Sequence, residues 1–354
     1  MMNRSRLLIP LVVIAAAVLT FYKMPVASSQ GLTLVSAKVA DDLPLTDPDS
    51  ALWQEATAVE VPLSAQIIAR PILPETNIKA VTVRALHNDD RLAFLVEWAD
   101  ETQNDSTVRV QDFRDAVALQ FPLAEGPPFF CMGQEGGNVN IWHWKADWQA
   151  DIIARQDVDT AYPNMYVDEY TFAEPVSSIS VGPADYTDPN YVPAFAVGNL
   201  FAAATYNSPV EDLVAGGFGS LTSQPLEAQN VQGYGVWADG QWRVIFSRSL
   251  ASSEADDANF SPDQVYSIAF AAWDGANEER NGQKSTSQWV SLQFEGGEEV
   301  AAESPVTPST PQAAAQPAEE EDQFPLFWWL IALFLLVTLG VIIWTYFSLP
   351  KQTE

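Results

Sequence analysis

The chain has 354 residues, with 46 acidic against 17 basic side chains and a formal net charge of −29. That imbalance argues against nucleic-acid and anionic-lipid binding, because phosphate contacts require clustered Lys and Arg. A single cysteine, Cys131, excludes an intrachain disulfide, a covalent Cys-x-x-Cys-His haem site and a cysteine-held iron–sulfur cluster.

In chain order, Arg4 and Arg6 precede an apolar run over residues 7–22, and small residues follow at Ala27, Ser28 and Ser29. Together these predict a secretory signal over residues 1–30. The arginines are not adjacent, so a twin-arginine signal is not supported. The run is short for a membrane span, and an uncleaved N-terminal anchor stays open.

Strand patterns dominate residues 31–295. Val81, Val83 and Ala85 alternate with polar residues, Asn88-Asp89-Asp90 makes a turn, and Leu92, Phe94, Val96 and Trp98 alternate again, which predicts a hairpin. Residues 234–238 and 242–246 flank Asp239-Gly240, a type I′ turn signal. Further strands are expected over 116–121, 139–148, 266–273 and 287–294. Helical periodicity is poor, with 210–215 at most a short helical turn. Many short strands with Gly and Pro punctuation predict an all-β body, a sandwich or barrel. Acidic pairs such as Asp89-Asp90 and Asp256-Asp257 sit in turn-like contexts and read as solvated.

Residues 296–323 are rich in Glu, Ala, Pro, Ser and Gln and cannot bury enough surface to offset chain entropy, which predicts a flexible linker. Residues 324–348 hold a charge-free run, 326–347, about 33 Å long as a helix against a hydrocarbon core of about 30 Å. Trp328, Trp329, Trp344 and Tyr346 near its ends suit the headgroup level, so a transmembrane helix is expected. Acidic residues before it and Lys351 in the tail, 349–354, predict an extracytoplasmic body and a cytoplasmic tail.

The chemistry concentrates in residues 127–148, PPFFCMGQEGGNVNIWHWKADW. Of five methionines, three lie in or beside the leader, so the body keeps Met132 and Met165. A thioether in a Gly-rich loop can fill a core gap or coordinate a soft metal such as haem iron. In the strand that follows, Val139, Ile141, His143 and Lys145 share one face and Asn140, Trp142 and Trp144 the other. Either face could wall a flat macrocycle, which makes Asn140, Trp142, His143 and Lys145 candidate cofactor contacts. Imidazole is a strong iron donor, so His143 is the default ligand on chemical grounds; its alternatives are a hydrogen-bonded core residue or a partner for a haem propionate. His87, the other histidine, sits in a polar turn and reads as solvated. Lysine binds iron only as the neutral amine, so from the residues alone Lys284 reads as solvated.

No Ser/His/Asp arrangement, Gly-x-Ser-x-Gly elbow, His-Glu-x-x-His helix or phosphate loop is present. The rival to a cofactor protein is a membrane-tethered extracytoplasmic carbohydrate-binding sandwich. Trp142, Trp144, Trp148, Trp237 and Trp242 would then form a sugar-stacking platform, unless they simply pack the core.

A resemblance weighs on this choice. VTVRALHNDDRLAFLVEWADET, DFRDAVALQFP, the CMG…VNIWHWKADW stretch, GYGVWADGQWRVIFSR and AAWDGANEERNGQKSTSQWVSLQF occur in that order between Trp53 and Phe294. They resemble the haem b (gamma) subunit of periplasmic type II dimethyl-sulfoxide-reductase-family molybdoenzymes, a group with ethylbenzene dehydrogenase, chlorate and selenate reductases and relatives of nitrite oxidoreductase. The resemblance implies a β-sandwich with one non-covalent haem b between a methionine and a lysine, matched here by Met132 and Lys284. It also implies a non-catalytic electron-transfer subunit beside an iron–sulfur (beta) and a molybdopterin (alpha) subunit. A soluble c-type cytochrome is a further candidate partner, which the acidic surface would suit if that cytochrome is basic. A retained tether departs from the family's soluble members.

Overall fold

The computed structural model describes residues 31–124, 132–164, 193–203 and 206–296. All belong to the compact unit Met1–Val300; the second unit, Ala301–Glu354, lies outside the described residues, as do the expected leader, linker, transmembrane helix and tail, and Cys131 and Met165. Among the described residues no helix is long and apolar enough to cross a membrane.

The body is mostly β. Its strands are β1 Thr33–Lys38, β2 Val59–Pro62, β3 Ser64–Ala65, β4 Ala80–His87, β5 Arg91–Ala99, β6 Ala116–Pro122 and β7 Val139–Lys145. There follow β8 Val210–Ala215, β9 Thr222–Ser223, β10 Gln232–Ala238, β11 Gln241–Ser249, β12 Tyr266–Trp273, β13 Ser285–Thr286 and β14 Val290–Phe294. Strand β12 joins two halves. Its first residues pair with β14 in the run β10-β11-β5-β4-β1-β14, and its last residues pair with β6 in the run β12-β6-β7-β8-β9. On its other side the end of β12 takes β13, which carries β3. Strand β1 is parallel to both neighbours, and the other pairs are antiparallel.

The halves face each other across one core, a layout consistent with the expected all-β sandwich. Phe94 and Trp98 of β5 meet Trp142 and Trp144 of β7 at ring distances of 6.2 and 6.3 Å, and Trp242 of β11 meets Trp144 at 4.9 Å. These side chains are at most 2% exposed, and burying one large apolar side chain contributes roughly 1.5–3 kcal/mol. The two expected hairpins form: Asn88 N–H donates to the Arg91 carbonyl at 3.0 Å, and Asp239 and Gly240 take φ of 53° and 75°, as a type I′ turn requires.

Four expectations are corrected. Residues 210–215 form strand β8, not a helical turn. The strand expected over 139–148 ends at Lys145 and becomes helix α1, Ala146–Ile153, whose Trp148 stacks on Tyr206 at 4.0 Å. Asp257 and His87 are not solvated: Asp257 is buried against Arg248 at 3.3 Å, and His87, 1% exposed, shares a hydrogen bond with Ser36 Oγ at 3.1 Å.

Candidate functional site

Successive residues of a strand point to opposite faces, and in β6, β7 and β12 those faces differ in size as well as direction. Val117, Leu119 and Phe121, with Trp142, Trp144, Ile268 and Phe270, go into the core. The alternate residues Ala116, Ala118, Ile141 and Ala271, with Leu213 of β8, form a separate apolar cluster on the other face. They floor a cavity of about 1040 Å³. That is at the upper end of ligand-binding clefts, and a floor of alanines is flat as well as apolar. Loops 64–71, 107–114, 218–221 and 279–289 wall it. Ile67, Ile68, Val110 and Phe218 stand exposed on those walls.

Met132 and Lys284 reach the cavity from opposite edges of the half-sheet ordered β3-β13-β12-β6-β7-β8-β9. The Met132 carbonyl accepts from Gly217 N–H at 2.9 Å, just past β8. Gly133 follows in the left-handed region at φ +78°, where a Cβ would lie 2.7 Å from the Gly137 carbonyl oxygen and 2.8 Å from that of Ala215, so only glycine fits. At the other edge, Lys284 immediately precedes β13, and its carbonyl accepts from Gln66 N–H at 3.0 Å. Despite these separate origins, Lys284 Nζ lies 3.7 Å from Met132 Sδ, and 5.2 Å from the centre of the Trp273 ring.

His143 lines the same cavity, its ring 4.7 Å from that of Trp273. Its Nε2 is buried with no hydrogen-bond partner among the described residues. Burial first, then the charges of Lys145, Arg114 and Lys284, hold its pKa well below the usual histidine value, so the imidazole is neutral.

The other candidates are not brought to the cavity. Asn140 points into the sandwich, where its Nδ2 donates to Asp212 Oδ1 at 2.6 Å and its Oδ1 accepts from Trp142 Nε1 at 3.0 Å. Trp142 is fully buried against Phe121 and Phe94. Lys145, at the strand's end, is buried in an ion pair with Glu211 and lies 3.9 Å from the centre of the Trp148 ring. Trp273, the alanine floor and Gln66 are site residues that the sequence did not single out. The available signal was the alternation of alanine with larger side chains in AVALQF and AFAAW.

A thioether, an amine and a neutral imidazole gathered over an apolar floor suit a soft or borderline metal held by a flat organic ring. With Met132 Sδ and Lys284 Nζ 3.7 Å apart and the partnerless Nε2 of His143 in the same apolar cavity, the residues present fit a haem. The sugar platform does not fit. Trp142, Trp144, Trp148 and Trp242 are at most 4% exposed, and Trp237 packs against the core with its indole N–H donating to the Asp100 carbonyl.

Fold and site thus define a mostly β cofactor-binding protein. Residues 50–285 match the family described as ethylbenzene dehydrogenase, and the chain belongs to that family. It is 25% identical over 277 residues to a putative respiratory nitrate reductase heme subunit of Haloferax mediterranei, covering 75% of this chain and 78% of that protein. It is 25% identical to the chlorate reductase gamma subunit of Ideonella dechloratans, over 70% of this chain and 79% of that one. It is 24% identical to the dimethylsulfide dehydrogenase gamma subunit of Rhodovulum sulfidophilum, over 73% and 80%. Among solved structures, a family 9 carbohydrate-binding module of Caldicellulosiruptor kristjanssonii in complex with cellotriose aligns with a TM-score of 0.35 at 7% identity, over 78% of this chain and all of that one. A likeness that low carries no argument about function.

Proposed function

We propose that this chain is the haem b electron-transfer subunit of an exported molybdoenzyme complex, non-catalytic itself and working beside iron–sulfur and molybdopterin subunits. The observation that carries the reading is the meeting of Met132 Sδ and Lys284 Nζ at 3.7 Å over an apolar floor, in a chain similar to heme and gamma subunits of such oxidoreductases. Bound there, haem b supplies one-electron redox chemistry. Met132 and Lys284 would hold its iron in this reading, and the thioether would favour the ferrous state. Lys284 would bind as the neutral amine, since only that form has a lone pair to donate. His143 stays neutral beside them as the alternative ligand or a hydrogen-bonding neighbour. The leader and the apolar run at 324–348 support an exported body on a single-pass anchor, with the tail in the cytoplasm and the body on the periplasmic face.

The test is spectroscopic. The purified chain should carry one acid-acetone-extractable haem with a low-spin six-coordinate spectrum. Met132→Ala should lower the reduction potential and lose six-coordinate character, Lys284→Ala should open the other position, and His143→Ala should perturb less. If His143→Ala destroys the low-spin spectrum while Lys284→Ala leaves it intact, the iron is held by Met and His instead.

A further inference from the structure

Cations are scarce in this chain, yet the mouth of the cavity gathers several of them. Two differ from the rest. Arg109 is paired with Asp112 at 2.9 Å and Arg114 with Asp147 at 2.7 Å, whereas Arg70 and Arg280 are exposed, line the cavity and have no carboxylate partner among the described residues. Glu279, next to Arg280, is turned inward and occupied by Asn77 Nδ2 at 2.7 Å and Asp274 N–H at 3.0 Å.

Both arginines are set in place by one buried amide. Gln66, 6% exposed, donates through Nε2 to the Ala69 carbonyl at 2.8 Å and to that of Pro71 at 3.4 Å, the residues flanking Arg70. The same Nε2 donates to the Gly282 carbonyl at 2.8 Å, and its Oε1 accepts from Ile68 and Ala69 N–H at 2.6 and 2.8 Å. Gly282 belongs to the turn Arg280–Gln283, closed by Gln283 N–H on the Arg280 carbonyl at 2.9 Å and tied to the floor by Trp273 Nε1 on the Asn281 carbonyl at 3.1 Å. The Arg280 guanidinium lies 5.5 Å from the centre of the Phe113 ring. Lys284 follows four residues later on the same loop, held by the backbone of the same glutamine. The backbones that carry two guanidiniums without carboxylate partners among the described residues are therefore fixed at the entrance of the cavity, on the loops that also carry Lys284. Planar guanidinium forks match carboxylate geometry, singly or bidentately.

We infer that Arg70 and Arg280 are the carboxylate-binding residues of this site, taking the two acidic side chains of the tetrapyrrole and so fixing which edge of it faces solvent. This rests on the haem reading above, and its test separates the two. The full chain, stripped of haem by acid-acetone and refolded, is titrated with haemin and with haemin dimethyl ester, whose iron and ring are unchanged but whose carboxylates are blocked. Haemin should bind at least about tenfold more tightly than the ester, the scale of one lost charge-assisted contact. In Arg70→Gln/Arg280→Gln that preference should fall to near unity while the low-spin spectrum persists, and Lys79→Gln, an exposed change elsewhere, should keep it. Equal binding of the two porphyrins by the unaltered chain overturns the inference and leaves the haem reading standing, as does a double variant that still prefers haemin. Failure to bind either porphyrin overturns both.

Discussion

The buried Lys145–Glu211 pair lies at the end of the strand that carries His143, and its removal tests whether Lys145 serves the fold rather than the cofactor. Lys145 is 1% and Glu211 4% exposed. Burial outweighs the attraction of Glu211 and brings the Lys145 pKa from 10.5 down to about 8. That fall corresponds to a net penalty on the charged form of about 3 kcal/mol. Lys145→Met leaves the Glu211 carboxylate buried with Ser223 Oγ as its remaining side-chain partner among the described residues, and breaking a buried pair in this way costs roughly 3–5 kcal/mol. For a domain of this size each kcal/mol shifts Tm by about 2–4 °C, so the variant should melt roughly 6–20 °C lower by circular dichroism. Lys145→Met/Glu211→Leu should recover most of the loss, because apolar replacement of a buried pair is often neutral or better. The pH dependence has a definite sign. Between 10.5 and about 8 the unfolded chain binds more protons than the folded one, so the contribution of Lys145 to stability falls as pH drops through about 8, and the double variant should lack that component. A single variant as stable as the parent, a double variant no better than the single, or a haem spectrum that changes with Lys145 would each refute the structural assignment.

Ala271→Leu puts a branched side chain into the cavity floor and should abolish haem uptake while the fold, followed by far-ultraviolet dichroism, survives, since the substitution faces away from the core. Gly133→Ala forces a Cβ against two carbonyl oxygens at φ +78° and should cost about 1–3 kcal/mol in thermal unfolding and weaken the low-spin spectrum by displacing Met132. Asp115 and Asp212 are raised to about 7 and about 8, by burial first and then by Asp100 and Asp257 respectively. The folded state holds their protons where the unfolded state has lost them, so their contribution to stability should decline from about pH 4 to pH 8; a denaturation midpoint rising steadily across that window would contradict this. Deleting residues 324–354 should release a soluble haem protein, and a truncated chain that stays in membranes would point to the N-terminal run as an anchor.

The hairpins were legible because their signals are local. Asn88-Asp89-Asp90 and Asp239-Gly240 dictate turns whatever surrounds them, and the alternation beside them is uninterrupted. Strand β8 was not legible because its polar residues look misplaced until their partners are known: Glu211 meets Lys145 and Asp212 meets Asn140, both across the β7–β8 ladder. Helix α1 was hidden for a related reason. It is eight residues long, Ala146, Asp147, Trp148 and Gln149 are all buried, and Asp147 is accounted for by Arg114 and Thr107 on a distant loop. For the site, alternation correctly divided β7 into two faces but could not say which one was the core. The indoles decided it: Trp142 and Trp144 are too large to leave in water, so Asn140 went inward with them and His143 was left to the cavity.

That division constrains how the site and the fold depend on each other. Ala118 sits between Val117 and Leu119, His143 between Trp142 and Trp144, and Ala271 between Phe270 and Ala272, so a slip of one residue in any of these strands would put a core side chain into the cavity and an alanine or His143 into the core. The size contrast between the faces therefore fixes the register as firmly as hydrophobicity does. The two sulfur and nitrogen donors escape that constraint because they stand on loops beyond the edges of the floor. Backbone hydrogen bonds outside the ladder place them, the Gly217 N–H on the Met132 carbonyl and the Gln66 N–H on that of Lys284. The strands thus supply the flat apolar surface, and the loops beyond its edges supply the donors, so a change in the floor and a change in a donor loop should be separable in their effects on fold and on cofactor.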